Sequence, residues 1–254
     1  MSRIPTLVVD DDATMRLLLE RLLSRVGYAV TTVTNGTDAL AAIDKTPWDL
    51  VLTDKNLPDL SGVEVARHAR TRWPGTTIVM VTGFATAESA TGLMGVLDDY
   101  FEKPMVLDEL ARRLGQALSR RRGRAAAAGS HQAFPPPAVV AVLEPDPEAR
   151  ALIIAVLEAE GLAAAGPEAI TTADALILSE KASSEAIERA IWEQQATRAE
   201  YPVLVISRPH SLRGAQSAVT LWAKALLTYP LDREALSAAV KQLRPATAPP
   251  APSA

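Results

Sequence analysis

The sequence predicts an α/β protein built from two parallel sheets, and three observations carry that reading. Short apolar runs alternate with stretches of helical period, the pattern of βα units whose strands run parallel. Chemically distinctive residues follow the runs: Asp10 and Asp11 after Leu7-Val8-Val9, Asp54 after Leu50-Val51-Leu52, Thr82 after Ile78-Val79-Met80-Val81, and Lys103-Pro104 after Tyr100-Phe101. The second half of the 254 residues then repeats the spacing of the first.

Taken in order, the run ending at Val9 reads as the first strand. Met15, Leu18, Leu19, Leu22 and Val26 give the next stretch one apolar helical face. Between Ala85 and Leu97 a fourth helix is expected, softened by Gly92 and Gly95, each costing roughly 1 kcal/mol relative to Ala. Strand alternation at Tyr100-Phe101 points one ring to the core and one outward, where an aromatic is expected to serve an interface. Arg120, Arg121, Arg122, Arg124, an alanine run and Pro135-Pro136-Pro137 then mark a linker over 121–137.

After the linker, Val139 to Leu143 ends at Glu144, and Ala149, Leu152, Ile153, Val156 and Leu157 repeat the helical spacing. The run Leu176-Ile177-Leu178 ends at Ser179, and the interval to Ser207 equals that from Asp54 to Thr82, since 207 − 179 = 82 − 54 = 28. Tyr229-Pro230 falls opposite Lys103-Pro104. The interval from Glu144 to Ser179 is nine residues shorter than that from Asp10 to Asp54, so the second helix of this repeat is expected to be shrunken. The missing cover near Gly166 to Ala173 predicts an apolar strip open to a partner. Residues 245–254 read as a disordered Pro/Ala tail.

In a parallel sheet the strand C-terminal ends share one edge, and ligands of open α/β sheets bind there. Three carboxylates, a hydroxyl and an ammonium thus converge on one pocket. Such crowded carboxylates need a cation, and hard oxygen ligands suit Mg²⁺. The bland alternative for each Asp is a helix N-cap, common in βα loops.

Val-Val-Asp10-Asp11-Asp12, Thr53-Asp54-Lys55-Asn56-Leu57-Pro58-Asp59-Leu60-Ser61-Gly62, Thr82-Gly83, Tyr100 and Lys103-Pro104 together resemble the receiver domain of two-component response regulators, over about residues 4–120. The resemblance implies two flavodoxin-like (βα)5 receiver domains with parallel five-stranded sheets: a phosphorylatable one over 1–120 and a degenerate one over 138–244 lacking part of its second helix. It implies that Asp54 accepts a phosphoryl group and that Asp11 binds Mg²⁺ directly. Asp10 would bind the ion through water and Asn56 through its backbone carbonyl. Lys103 would pair with the phosphoryl group, Thr82 and Tyr100 would relay its presence, and Pro104 would follow a cis bond. In the second half Glu144-Pro145, Ser179 and Tyr229 replace the acids and the lysine, so the resemblance implies a pseudo-receiver that takes no phosphate.

A sensor histidine kinase or phosphotransfer protein is the implied donor. Output is expected through a downstream protein partner or a homodimer, because only about ten residues follow the second repeat. A net charge of −4 argues against a globally basic nucleic-acid binder, so no DNA partner is expected. No apolar run approaches the ~18 residues of a membrane span. With no signal-peptide layout and no Cys, a cytoplasmic, non-enzymatic protein is expected. One enzymatic alternative exists: Asp10-x-Asp12-x-Thr14 fits the signature of haloacid-dehalogenase-like phosphohydrolases, with Asp10 as nucleophile and Asp98-Asp99 as a later acid pair. It leaves Asp54 and Lys103-Pro104 unused.

Overall fold

The structure, a computed structural model, describes residues 3–83, 92–129, 138–198 and 201–243. The first half contains β1 (Ile4–Val9), α1 (Ala13–Arg25), β2 (Tyr28–Val33), α2 (Gly36–Lys45), β3 (Leu50–Asp54), α3 (Gly62–Arg72), β4 (Thr77–Thr82), β5 (Asp99–Glu102) and α4 (Leu107–Gly129). Its strands are all parallel, in the order β2-β1-β3-β4-β5. That is the flavodoxin-like order. Every residue of β3 and β4 is buried, as continuous apolar strands covered on both faces require. Alternation divides their side chains between two cores. Leu7, Val9, Val51, Ile78 and Met80 pack with α2 and α3, whereas Val8, Leu50, Leu52, Val79 and Val81 pack with α1 and α4.

The second half contains β6 (Val139–Leu143), α5 (Pro147–Ala159), β7 (Ala163–Ala165), β8 (Ala175–Ser179), α6 (Glu185–Thr197), β9 (Val203–Ser207), α7 (Leu212–Thr220), β10 (Ala225–Thr228) and α8 (Arg233–Lys241). Its sheet, again parallel, runs β7-β6-β8-β9-β10, which repeats the first in topology. The repeat extends to the caps. Asp12 accepts from Thr14 N and Met15 N to start α1, and Asp146 accepts from Glu148 N and Ala149 N to start α5.

Where α2 has its counterpart, a 3-10 turn at Pro167–Ala169 stands in place of a helix. The open apolar strip expected there is corrected by the structure. Ile170 and Ala173 fold over the sheet and are buried, and Tyr201 Oη donates to the Ile170 carbonyl at 3.0 Å. A short turn carrying two apolar side chains does the covering that a helix would do. Among the described residues the exposed large hydrophobics are Leu17, Leu18, Val26 and Val106, all in the first half.

Two segments differ from their sequence reading. The helix α4 continues through the first nine residues of the stretch read as a linker, and residues 130–137 lie outside the described residues. Its arginines explain the extension: Arg120 Nη2 donates to the Asp98 carbonyl at 3.2 Å, and Arg121 reaches the Asp98 carboxylate and the Pro74 carbonyl. Of the expected helix between Ala85 and Leu97, residues 85–91 lie outside the described residues. The remainder is a turn at 92–96, with Gly95 at φ +78°, a conformation that L side chains resist.

The halves pack directly on one another. Ala215 and Val219 of α7 share a core with Leu93, Leu97 and Tyr100. Trp222 Nε1 donates to Asp98 Oδ1 at 3.1 Å, and the Arg120 guanidinium lies 4.3 Å from the Trp192 ring centre. Trp192 and Trp222 are therefore residues of the contact between the halves.

Candidate functional site

Because the strands of the first sheet are parallel, the residues that close β1, β3, β4 and β5 meet at one edge. Asp10 follows β1 and is 1% exposed; its Oδ1 accepts from Asp12 N at 2.9 Å and its Oδ2 from Lys103 Nζ at 2.9 Å. Asp54 ends β3; its Oδ1 accepts from Asn56 N at 3.1 Å and its Oδ2 from Lys103 Nζ at 2.5 Å. Asp11 stands at the exposed rim. One carboxylate oxygen each from Asp10, Asp11 and Asp54 lie within 4.8 Å of one another, the only such group of three among the described residues. Capping, the bland reading, holds for Asp12. Asp10 and Asp54 are instead tied to Lys103.

The electrostatics are unbalanced in a useful direction. Three carboxylates and one ammonium sum to −3 + 1 = −2. Burial pushes the Asp10 carboxyl up, an effect that the Lys103 hydrogen bond only partly offsets. Burial disfavours the Lys103 ammonium too, but its hydrogen bonds to Asp54 and Asp10 outweigh that and raise its pKa. Lys103 thus stays charged. An all-oxygen set with two excess negative charges fits a hard divalent cation.

Backbone contacts fix the rest of the edge. Thr82 ends β4, is buried, and its carbonyl accepts from Lys103 N at 2.8 Å. The Lys103-Pro104 bond is cis, as is Tyr229-Pro230 in the second half. After Asp54 the chain doubles back through a bridge between Asn56 and Ser61, and Gly62 N donates to the Lys55 carbonyl at 2.8 Å. Ser61 and Glu64 then form a capping box that starts α3.

Asp59 is an anchor that sequence reasoning missed. Its carboxylate accepts from Gly36 N, Thr37 N, Thr37 Oγ1 and Leu60 N at 2.6–2.8 Å, tying the loop after Asp54 to the start of α2. The Thr37 hydroxyl and these N–H groups hold its carboxyl well below the usual carboxylate range. The signal was its place in the turn Leu-Pro-Asp-Leu-Ser-Gly.

Tyr100 lies elsewhere than an exposed slot. It is 5% exposed, its hydroxyl donates to the Leu212 carbonyl at 3.1 Å, and burial pushes its pKa up. Phe101 is equally buried, beneath the Arg113 guanidinium at 4.1 Å. Both rings are covered because the second half closes the face that alternation left open. Asp98 and Asp99 sit at the opposite end of β5 from Lys103. Asp98 accepts from Arg70 Nη2 and Ile78 N, and Asp99 is held by Arg113. They are structural acids remote from Asp10, which removes the acid pair that a dehalogenase-like reading needs.

The matching edge of the second half has closed on itself. Glu144 Oε1 accepts from Asp146 N at 2.8 Å, as Asp10 does from Asp12 N. Its other oxygen accepts from Tyr229 Oη, which also lies 3.1 Å from Ser179 Oγ. A phenol bridges one carboxylate and one hydroxyl where, in the first half, an ammonium bridges two carboxylates. Glu180 is engaged apart from Glu144 and Tyr229: its carboxylate takes Ser207 Oγ at 3.0 Å, Arg208 Nε at 2.6 Å and Ser211 Oγ. Burial pushes its carboxyl up, but those hydrogen bonds prevail and its pKa is lowered. A depressed folded value means that this stabilisation is complete above the ordinary 4.5 and is lost as pH falls through the folded value. The urea midpoint of the second half should therefore fall more steeply on acidification below 4.5 in the native chain than in Glu180→Gln, and parallel pH profiles would contradict it.

The chain's residues 6–115 match the model of the response regulator receiver domain. Over 122 residues it is 42% identical to the transcriptional regulatory protein TcrA of Mycobacterium tuberculosis, covering 48% of each chain. It is 38% identical over 117 residues to the transcriptional regulatory protein QseB of Haemophilus influenzae, covering 46% of this chain and 52% of that one. Among solved structures it is similar to a CheY-like receiver domain protein from Methanospirillum hungatei (31% identity, TM-score 0.46, 48% of this chain and 98% of that one). It is also similar to response regulator TrrA from Thermotoga maritima in complex with Mg²⁺-BeF (31%, 0.41, 46% and 99%). The chain spans about half the length of the curated relatives it matches. Their names overturn the expectation that DNA takes no part: relatives sharing this domain are transcriptional regulatory proteins. The charge argument failed because net charge is a whole-chain sum, whereas a DNA contact needs only a local basic surface. Among the described residues no helix is long and apolar enough to cross a membrane.

Proposed function

We propose that this chain, whose residues 6–115 carry a response regulator receiver domain, is a phosphorylation switch of a two-component system. It would act in the cytoplasm and take a phosphoryl group on Asp54 from a sensor histidine kinase or phosphotransfer protein. The carrying observation is the joint hold of Lys103 on Asp54 and Asp10, at 2.5 and 2.9 Å, beside an exposed Asp11. Asp54 Oδ2 is the attacking atom. Its other oxygen accepts from Asn56 N, which restricts rotation of the carboxylate. Lys103, displaced from Asp54 as the bond forms, keeps its charge on the incoming equatorial oxygens, and the Thr82 hydroxyl hydrogen-bonds one of them. Mg²⁺ would be held by Asp11, Asp54 and the Asn56 carbonyl directly and by Asp10 through water, and would neutralise the phosphoryl oxygens when bound.

The second half, 138–244, would act as a pseudo-receiver that takes no phosphate and serves as the module docked on the switch over 1–120, with a downstream protein or second copy of the chain as the eventual partner. The closed Glu144-Tyr229-Ser179 edge supports that division.

Acetyl phosphate with Mg²⁺ should add one phosphoryl group per chain by intact mass, and none in Asp54→Asn or in EDTA. Uptake surviving in Asp54→Asn would refute the assignment.

A further inference from the structure

The first half's β5 face is occupied by the second half of the same chain. Tyr100 is held on both its groups: its hydroxyl donates to the Leu212 carbonyl at 3.1 Å and its carbonyl accepts from Gln216 Nε2 at 3.2 Å. Asp98, with no exposed surface, receives Trp222 Nε1 from the second half and Arg70 Nη2 and Arg121 Nη1 from the first. Arg112 of α4 adds a 3.4 Å ion pair to Glu185 of α6.

The two sides of this seam differ in what can move them. On the second half, α7 starts where Glu180 ties Ser207 at the end of β9 to Ser211, the α7 cap. Gly214 lets that cap close: a Cβ there would lie 2.0 Å from Ser207 Oγ and 2.9 Å from Glu180 Oε2. The docking helix is fixed by a carboxylate that is part of the chain. On the first half, Tyr100 lies three residues before Lys103 on one strand, and the turn at 92–96 carries Leu93 and Leu97 into the same core as Ala215 and Val219. The phosphorylated side chain carries close to two negative charges where the Asp54 carboxylate carried one, a net gain of about one, and moves them outward beside Lys103 and Thr82. Lys103 N is bonded to the Thr82 carbonyl, and Met80 and Tyr100 are paired across β4 and β5. These pairings put the strand ends that carry Thr82 and Lys103 on the same two strands as the Tyr100 seam.

We propose that the second half is a resident brake on the first: α7, fixed from behind by Glu180, clamps Tyr100 and its strand, so that docking and phosphorylation of Asp54 oppose one another. This rests on Asp54 being the phosphoacceptor. Linkage makes the opposition reciprocal: if phosphorylation loosens the seam, loosening the seam must favour phosphorylation.

The test uses the full chain. Hydrogen exchange is followed over 185–197 and 212–222 with and without acetyl phosphate and Mg²⁺, with phosphoryl occupancy read by intact mass. Gln216→Ala, which removes the amide that donates to the Tyr100 carbonyl and sets no new charge beside Arg113, the other donor to that carbonyl, is compared for exchange and for phosphorylation at limiting donor. Faster exchange at the seam in phosphorylated protein, together with about fivefold greater phosphorylation of the variant, is expected. Phosphorylated chain with unchanged seam exchange overturns the brake while leaving Asp54 as acceptor. So does a loosened Gln216→Ala seam with native phosphorylation. A native chain that takes up no phosphate overturns both. Should Gln216→Ala unfold, Tyr100→Phe, which removes only the hydroxyl bond to Leu212, gives the same comparison with a smaller expected gain.

Discussion

Replacing Lys103 with Met is expected to destabilise the first half by about 3 kcal/mol in EDTA, the cost of leaving buried charge without its partner. Lys103 Nζ is the cation between Asp10 and Asp54, and both carboxylates are buried. Removing it leaves three acids within 4.8 Å and no ammonium among them, since −2 becomes −3. Mg²⁺ should then bind more tightly than to the native chain and recover much of the loss. Phosphorylation should fall by about 10²-fold or more, because the donor facing the transferred group is gone. Urea unfolding in EDTA and in Mg²⁺, paired with mass-detected uptake from acetyl phosphate, separates these effects. An unchanged midpoint in EDTA would mean that the short Lys103 contacts carry no stability.

Most of the architecture was legible because its causes are local. Apolar runs of two to five residues followed by Asp, Thr or Lys, or by Glu or Ser in the second half, specify strands with their ends on one edge, and the equal 28-residue intervals expose the repeat. The site followed from the same edge, since parallel strands leave Asp10, Asp54, Thr82 and Lys103 little choice of where to meet. What escaped was decided by contacts between distant parts of the chain. An outward aromatic at Tyr100-Phe101 points to an interface, but nothing there announces that α7 of the same chain supplies it. The Arg120 to Arg124 cluster reads as a helix end or a linker until Asp98 supplies the buried acid that draws Arg120 and Arg121 along a longer helix. Asp59 looks like one turn residue among several, because its four donors lie across a gap of sequence on α2 and at Leu60. The strip near Gly166 was misread for a related reason: a shorter segment does not imply an open sheet when Ile170 and Ala173 can close it.

The second large effect concerns a glycine with an ordinary backbone conformation. A Cβ on Gly62 would lie 1.9 Å from the Asp54 carbonyl oxygen and 2.8 Å from its carbonyl carbon, distances that force backbone to move. The close approach exists because the chain returns from Asn56 to Ser61 and begins α3 directly beneath the acceptor, with Gly62 N bonded to the Lys55 carbonyl. No flexible side chain can yield there, so Gly62→Ala must displace either α3 or the end of β3. Overpacking of this kind costs about 1–3 kcal/mol, and the strand end that shifts is the one carrying the nucleophile. A displacement near 1 Å is enough to lower a positioned reaction by about 10²-fold. Gly75→Ala is the control, since a Cβ at that position meets nothing within 4 Å. The expected result is a Gly62→Ala chain that folds with reduced stability and takes up phosphate at no more than a few per cent of the native rate, beside a Gly75→Ala chain close to native in both. Native uptake by Gly62→Ala would mean that the loop after Asp54 adapts without moving the acceptor, and that the approach of α3 to β3 does not set the geometry of the site.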